Sequence, residues 1–134
     1  MSVLSTPSAG LVAGVGCRRG ASARGLITLI ETTLAEAGHA PVELALIATL
    51  EGKADDPAIG AAAGHFGVPV RAIPAGDLQR FAAHLPNPST VVEGHVGLAG
   101  VAEAAVLACG ELLLPKRRSA EATCALGRLV EAAR

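Results

Sequence analysis

Three short continuous apolar runs occur before residue 75, and each is followed by a segment with other spacing. The runs cover residues 11–16, 43–50 and 68–74. A continuous apolar run bounded by glycine, proline or charged residues is typical of a strand that is covered on both faces. The third run is flanked by prolines, which favours a position near an edge of the sheet. The pattern therefore predicts three strands of a parallel sheet.

The segments between these runs carry helix signals. After Ser22, a suitable N-cap, apolar residues recur at helical spacing as far as Ala37, and Gly38 is suited to end that helix. Either Asp55 or Asp56 is expected to cap the second helix, because both precede a proline that suits a first helical turn. We predict four helices, over residues 22–37, 58–66, 77–84 and 100–110.

The end of the chain predicts a hairpin. Residues 111–115 and 121–126 read as two short strands on either side of the basic turn KRRSA. Strands that alternate with helices indicate the α/β class. We expect a single three-layer α/β/α domain with a mostly parallel, five-stranded mixed sheet that ends in this C-terminal hairpin. The domain is expected to cover residues 11–134, after a flexible leader of residues 1–10.

Composition excludes several classes of partner. The only aromatic residues are Phe66 and Phe81, and 11 Lys and Arg are balanced by 12 Asp and Glu. A nucleic-acid site built on aromatic stacking over a basic groove is therefore not expected. Charged residues interrupt every apolar run well before the roughly 20 residues that a membrane span needs. The start of the chain lacks the charged region of a secretion signal, so we expect a cytoplasmic protein.

The cysteines and histidines do not form a metal-binding pattern. Three cysteines, an odd number, suit a reducing compartment, and no two have metal-ligand spacing. The four histidines are scattered along the chain as well. We therefore predict neither a metal site nor a cofactor.

The stretch GVGCRRGAS, residues 14–22, is the first candidate site. Glycines between a strand and a helix leave backbone amides free to bind an anion, and Arg18 and Arg19 add guanidinium groups that suit carboxylate or phosphate. A dinucleotide fingerprint is disfavoured because its third glycine arrives one position late, at Gly20. A structural turn with solvent-facing arginines remains an alternative. The candidate anion-binding residues are Gly14, Gly16, Cys17, Arg18, Arg19 and Ser22.

Cys17 has a second interpretation. A thiol at the start of a helix and beside two arginines is a candidate nucleophile with a lowered pKa. The alternative is a small residue that only packs in the core.

The second candidate site follows the second predicted strand. Loops at the carboxyl ends of parallel strands line the ligand-binding crevice of open α/β sheets. If this piece stays extended, the side chains of Thr49, Glu51, Lys53 and Asp55 leave one face together. Glu51 with Lys53 then offers a general base and a charge stabiliser. A solvated loop with a helix cap is the alternative.

The basic turn of the hairpin adds the last candidates. Lys116 directly follows a predicted strand and is expected to face the site, whereas Arg117 and Arg118 are interpreted as charges that aid solubility. Glu103, in the Ala-rich fourth helix, is expected either to pair with a base across the crevice or to lie on the helix surface.

Five stretches in this order carry a family resemblance. GVGCRRGAS, ATLEGKADDP, PNPSTVVE, GVAEAA and ELLLPK, from about residue 11 to 128, resemble the cobalamin-biosynthesis family made of CobE and the C-terminal domain of CbiG. The hydroxyl that this family's pattern carries before VAEAA is replaced by Gly100. The basic hairpin turn is also longer and more charged than in the family pattern.

The resemblance implies an α/β domain that acts on corrin-ring precursors. The main hypothesis is a protein that binds a precorrin intermediate in an accessory or carrier role, with Arg18, Arg19, Lys53 and Lys116 around the ligand carboxylates. The alternative that the resemblance implies is a hydrolase that opens the δ-lactone of (cobalt-)precorrin-5A, with Glu51 or Asp55 activating water. A nucleotide-binding domain is the second alternative. Docking of other pathway enzymes and formation of a homo-oligomer both stay open.

Overall fold

The computed structural model describes residues 10–82, 91–92, 95–96 and 98–130. The elements in chain order are β1 (Leu11–Cys17), α1 (Ala23–Glu36), β2 (Leu44–Leu50), α2 (Pro57–Phe66), β3 (Val70–Ile73), α3 (Ala75–Ala82), β4 (Val91–Val92), β5 (His95–Val96), α4 (Leu98–Cys109), β6 (Gly110–Arg118) and β7 (Ala122–Leu129). Short 3-10 turns precede and follow β2, over Pro41–Glu43 and Glu51–Lys53.

The main sheet has five strands in the order β3-β2-β1-β7-β6. β1, β2 and β3 are parallel, whereas β7 is antiparallel to both β1 and β6, so that β6 runs in the direction of β1. The predicted mixed sheet with a C-terminal hairpin is confirmed, and β3 lies at an edge as expected. β4 and β5 form a separate two-stranded sheet that the sequence did not predict.

Helices cover both faces of the main sheet, which confirms the three-layer architecture. α1 and α2 pack on one face over a core that includes Val15, Ile30 and Ile59. α3 and α4 pack on the other face over Val12, Leu78 and a run of alanines in α4. The alanines allow α4 to approach the sheet closely, so that this core can reach the packing density typical of protein interiors.

Local signals set the bounds of α1 as predicted. The Ser22 hydroxyl accepts a hydrogen bond from the Gly25 amide at 3.1 Å, and Gly38 adopts a φ of +82° just beyond the helix end. The amides of Gly38 and His39 donate to the carbonyls of Ala35 and Leu34, which satisfies two acceptors of the last turn.

The other helix bounds needed small corrections. Asp56, and not Asp55, caps α2, because its carboxylate accepts from the Ala58 amide at 2.9 Å. α3 begins two residues earlier than predicted, and the predicted end of that helix, residues 83–84, lies outside the described residues. α4 also begins two residues earlier.

One edge of the sheet gathers the segments that carry the candidate chemistry. The ends of β1, β2 and β6 and the start of β7 meet there, since β6 is parallel to β1. We call this region the carboxyl edge and define it by residues 17–24, 49–56 and 116–121. Open α/β sheets bind ligands at this end of their strands.

Candidate functional site

The first motif is organised differently from the sequence prediction. β1 continues through Cys17, because β7 pairs with it along its whole length. Gly14 and Gly16 therefore lie inside the strand, opposite Ala125 and Thr123, and not in a loop. A side chain at Gly14 would overlap the carbonyl oxygen of Ala102 in α4. Gly14 thus serves the close packing of α4 on the sheet.

The backbone amides of the following loop bind groups of the protein itself. The Arg18 amide donates to the Glu121 carbonyl at 2.9 Å, and the Ala21 amide donates to the Arg18 carbonyl at 3.1 Å. The Ser22 amide donates to the Glu121 carboxylate at 2.9 Å. The predicted cradle of free amides is therefore wrong for these positions. Glu121, from the β6–β7 turn, was not among the predicted site residues.

Arg18 and Arg19 themselves remain exposed. Within the part of the chain that the structure describes, neither guanidinium has an ion-pair partner. The same holds for Arg24, in the first turn of α1. The three arginines thus place three positive charges in and just before the first turn of α1, where the Ser22 amide binds the Glu121 carboxylate.

Cys17, Asp56 and Lys53 form a partly buried polar cluster at the carboxyl edge. The Cys17 side chain is 2% exposed and hydrogen-bonded to Asp56. The Lys53 ammonium donates to the Asp56 carboxylate at 3.2 Å, and their side chains are 29% and 8% exposed. The cluster joins the end of β1, the turn after β2 and the start of α2.

The electrostatics of this cluster correct the predicted state of Cys17. Burial and the neighbouring Asp56 carboxylate raise the pKa of the Cys17 thiol, and Lys53 offsets them only in part. Burial by itself would raise the pKa of Asp56, but hydrogen bonds from the Ala58 amide, Lys53 and Cys17 hold it below its ordinary value. Cys17 is therefore a protonated thiol at neutral pH; of its two interpretations, the structure favours the residue that packs in the core over the nucleophile with a lowered pKa.

The other residues of the second candidate site do not share one face. Thr49 is fully buried, and its hydroxyl donates to the Val15 carbonyl at 2.8 Å, which ties β2 to β1. Glu51 begins a 3-10 turn, so the predicted extended piece is wrong. Glu51 and Asp55 are both exposed. The structure brings Lys53 to Asp56, a residue that the sequence placed only as a helix cap.

Glu103 and Lys116 bind each other. Glu103 is 6% exposed, and its carboxylate accepts from the Lys116 amide at 2.9 Å and lies 3.8 Å from the Lys116 ammonium. This contact fastens α4 to β6. Of the two expectations for Glu103, pairing with a base is correct, and the base is Lys116.

Arg117 also has a structural partner. Its Nε and Nη2 atoms donate to both carboxylate oxygens of Glu36 at 2.8–3.0 Å, a two-pronged contact between β6 and the end of α1. The hydrogen bonds from Arg117 hold the pKa of Glu36 below its usual value. Its interpretation as a charge that only aids solubility was therefore wrong, whereas Arg118 is exposed and has no ion-pair partner among the residues described here.

No group of three or more His, Cys, Asp and Glu side chains suited to a metal ion occurs in the described ranges. Nor is any helix in those ranges long and apolar enough to cross a membrane.

The fold and the carboxyl edge define an α/β/α domain of the kind found in cobalamin biosynthesis proteins. The crystal structure of CobE, described as a protein from the cobalamin (vitamin B12) biosynthetic pathway, matches with a TM-score of 0.79 and 37% identity over 93% of both chains. The cobalamin biosynthesis protein chiG from Agrobacterium tumefaciens str. C58 matches with a TM-score of 0.63 and 26% identity, over 91% of this chain and 99% of that chain.

Sequence comparison identifies the family. The family model described as Cobalamin synthesis G C-terminus matches residues 11–127. Protein CobE from Sinorhizobium sp is 47% identical over 122 residues, which cover 88% of this chain and 79% of the relative. The chain therefore belongs to the Cobalamin synthesis G C-terminus family, and the resemblance drawn from the five sequence stretches is confirmed.

Proposed function

We propose that this cobalamin biosynthesis protein binds a precorrin-type tetrapyrrole in an accessory or carrier role. The ligand carboxylates are held by Arg18 and Arg19 at the carboxyl edge. The observation that carries the proposal is that these adjacent guanidinium groups are exposed and lack an ion-pair partner in the described part of the chain. Arginine binds carboxylates through paired hydrogen bonds, which supply orientation as well as attraction.

The position of the arginines supports an anionic ligand. The start of a helix carries a partial positive charge, so cations there lower helix stability. Arg18 and Arg19 lie in the loop that leads into α1, and Arg24 lies in the first turn of the helix, which contains no acidic residue. Glu121 supplies one carboxylate against these three charges. An added polyanion would offset the remaining repulsion.

The lysines have a different part in this proposal from the one that the sequence predicted. Lys53 is bound to Asp56, and Lys116 is bound to Glu103. Both ammonium groups therefore stabilise the fold around the carboxyl edge, whereas the arginines bind the ligand. Because the chain has no Trp or Tyr, contact with the apolar macrocycle relies on aliphatic side chains.

A spectroscopic titration tests the proposal. The visible absorbance of a precorrin intermediate is followed as protein is added, for wild type and for the double variant Arg18→Ala, Arg19→Ala. We expect a saturable spectral shift with wild type. The double variant should bind about tenfold more weakly, because it loses two exposed ion pairs with the ligand. Arg128→Ala is the matched control, since Arg128 is exposed and lies opposite Leu11, at the other end of the sheet.

Three outcomes would contradict the proposal. No shift with wild-type protein would exclude binding of the ligand, and an equal loss with Arg128→Ala would indicate non-specific charge attraction. Opening of the δ-lactone of a precorrin-5A intermediate, which releases its two-carbon fragment as acetaldehyde, would show hydrolysis in place of an accessory role.

A further inference from the structure

The three consecutive cations at the end of β6, which the sequence had placed in a turn, differ in their contacts. Lys116 is neutralised by Glu103 of α4, and Arg117 is neutralised by Glu36 of α1. Arg118 is exposed and has no ion-pair partner in the described ranges. Lys116 and Arg117 therefore fix the end of β6 to α4 and α1, while Arg118 is available to a ligand.

The β6–β7 turn is also fastened to the loop that carries Arg18 and Arg19. The Glu121 carbonyl accepts from the Arg18 amide, and the Glu121 carboxylate accepts from the Ser22 amide, both at 2.9 Å. Within the turn, the Ser119 amide donates to the Ala122 carbonyl at 2.9 Å. These contacts fix the backbone of Arg118 relative to that of Arg18.

Strand register places Arg118 on the sheet face that α4 covers. Arg117 lies opposite Cys124 and reaches α1, whereas Arg118 lies opposite Thr123, the next residue along the strand. Successive residues of a strand point to opposite faces, so Arg118 belongs to the face opposite Arg117. Thr123 in turn lies opposite Gly16 of β1. Arg118 is thus two strands away from β1, a separation of about 10 Å across the sheet.

We propose that Arg118 belongs to the same binding surface as Arg18 and Arg19 and receives a second set of carboxylates from one broad polyacid ligand. This inference rests on the proposed function, which it extends from the loop after β1 to the hairpin. Arginine side chains that start from backbone positions about two strand spacings apart suit a macrocycle with carboxylates around its rim. A ligand with fewer carboxylates makes fewer of these contacts.

Two stable porphyrins serve as probes. Uroporphyrin carries an acetate and a propionate on each pyrrole ring, whereas coproporphyrin carries only the propionates. Porphyrin fluorescence is titrated with wild type, Arg118→Ala, Arg118→Lys, the Arg18→Ala, Arg19→Ala variant and the Arg128→Ala control. We expect Arg118→Ala to weaken uroporphyrin binding about two- to fivefold, with a smaller effect on coproporphyrin. Arg118→Lys should recover part of the affinity, because the charge is kept.

The outcomes separate the two proposals. If Arg118→Ala binds uroporphyrin as wild type does, while the Arg18→Ala, Arg19→Ala variant is weakened, the extension to the hairpin is overturned and the proposed function stands. If Arg118→Ala weakens the binding of both porphyrins equally and Arg118→Lys recovers no affinity, Arg118 has a structural role and the inference is overturned. If wild-type protein binds no tetrapyrrole, neither precorrin nor porphyrin, both proposals are overturned.

Discussion

At the scale of single residues, Asp56 connects three segments of the carboxyl edge, although the sequence predicted it only as a possible helix cap. Its carboxylate accepts hydrogen bonds from the Ala58 amide at the start of α2, from the Lys53 ammonium and from the Cys17 thiol. Hydrogen bonds to a partly buried carboxylate favour its ionised form. Asp56 is therefore a source of pH-dependent stability.

The change Asp56→Asn tests this role. Asparagine keeps the helix cap but removes the charge that binds Lys53. We expect a loss of unfolding free energy on the order of 1 kcal/mol at neutral pH. Because the folded-state pKa of Asp56 is lowered, its contribution is complete above the ordinary pKa of an aspartate and disappears as pH falls through the lowered value. Denaturant unfolding from neutral to acidic pH measures this difference.

Asp55→Asn is the matched control, because Asp55 is adjacent and exposed. Its effect should stay within about 0.5 kcal/mol at every pH. An equal loss for both variants, or a loss in Asp56→Asn that persists in acid, would show that the Asp56 charge does not stabilise the fold.

The sequence could not separate these two aspartates. Both precede Pro57 and either suits a cap, whereas the contact of Asp56 with Cys17 joins residues that are far apart along the chain. The same limit applies to Glu103 and Lys116, whose pairing depends on how α4 packs against β6. Residue types indicated the chemistry, whereas their partners depended on the tertiary structure.

At the scale of elements, local patterns predicted most of the fold. Apolar runs indicated β1, β2 and β3, and the Ser22 cap and Gly38 set the limits of α1, because these signals act within a few residues. The extension of β1 through Cys17 was missed because β7, from the end of the chain, pairs with it. The glycines of β1 were misinterpreted for the same reason. Gly14 has no side chain because α4, from a different part of the chain, packs directly against it.

Helix α1 has a positive charge in its first turn, which is unfavourable, so removing that charge should stabilise the protein. Arg24 lies in the first turn, where the helix dipole disfavours a cation. Arg24→Gln should raise the unfolding free energy by about 0.3–1 kcal/mol at low ionic strength, with a smaller gain in high salt. Thermal and denaturant unfolding at two salt concentrations measure the change.

Arg80→Gln provides the opposite case. Arg80 lies in the last turn of α3, where the dipole favours a cation, and it contacts Asp77 at 2.7 Å. The same substitution there should lower stability by a few tenths of a kcal/mol. Equal signs for the two variants would rule out the dipole as the cause.

At the scale of the whole molecule, one sheet connects two cores. The α1 and α2 side contains Cys17 and Cys124, and the α3 and α4 side contains Cys109. β1 contributes alternate residues to both cores, such as Val15 to the first and Val12 to the second. Because each core packs against the same sheet, separation of the strands would expose both cores. We therefore expect the two cores to unfold together.

The three buried cysteines report on this coupling. Burial raises the pKa of each thiol, to about 12 for Cys124, so native protein should react slowly with a thiol reagent. Pulsed alkylation along a denaturant gradient, read by peptide mass spectrometry, should give one midpoint for all three cysteines. That midpoint should match the far-UV circular dichroism transition, as a two-state domain requires. Labelling of Cys109 at clearly lower denaturant than Cys17 and Cys124 would instead show that α4 leaves the sheet first, and that the face carrying Gly14 and Glu103 is a separate unit of stability.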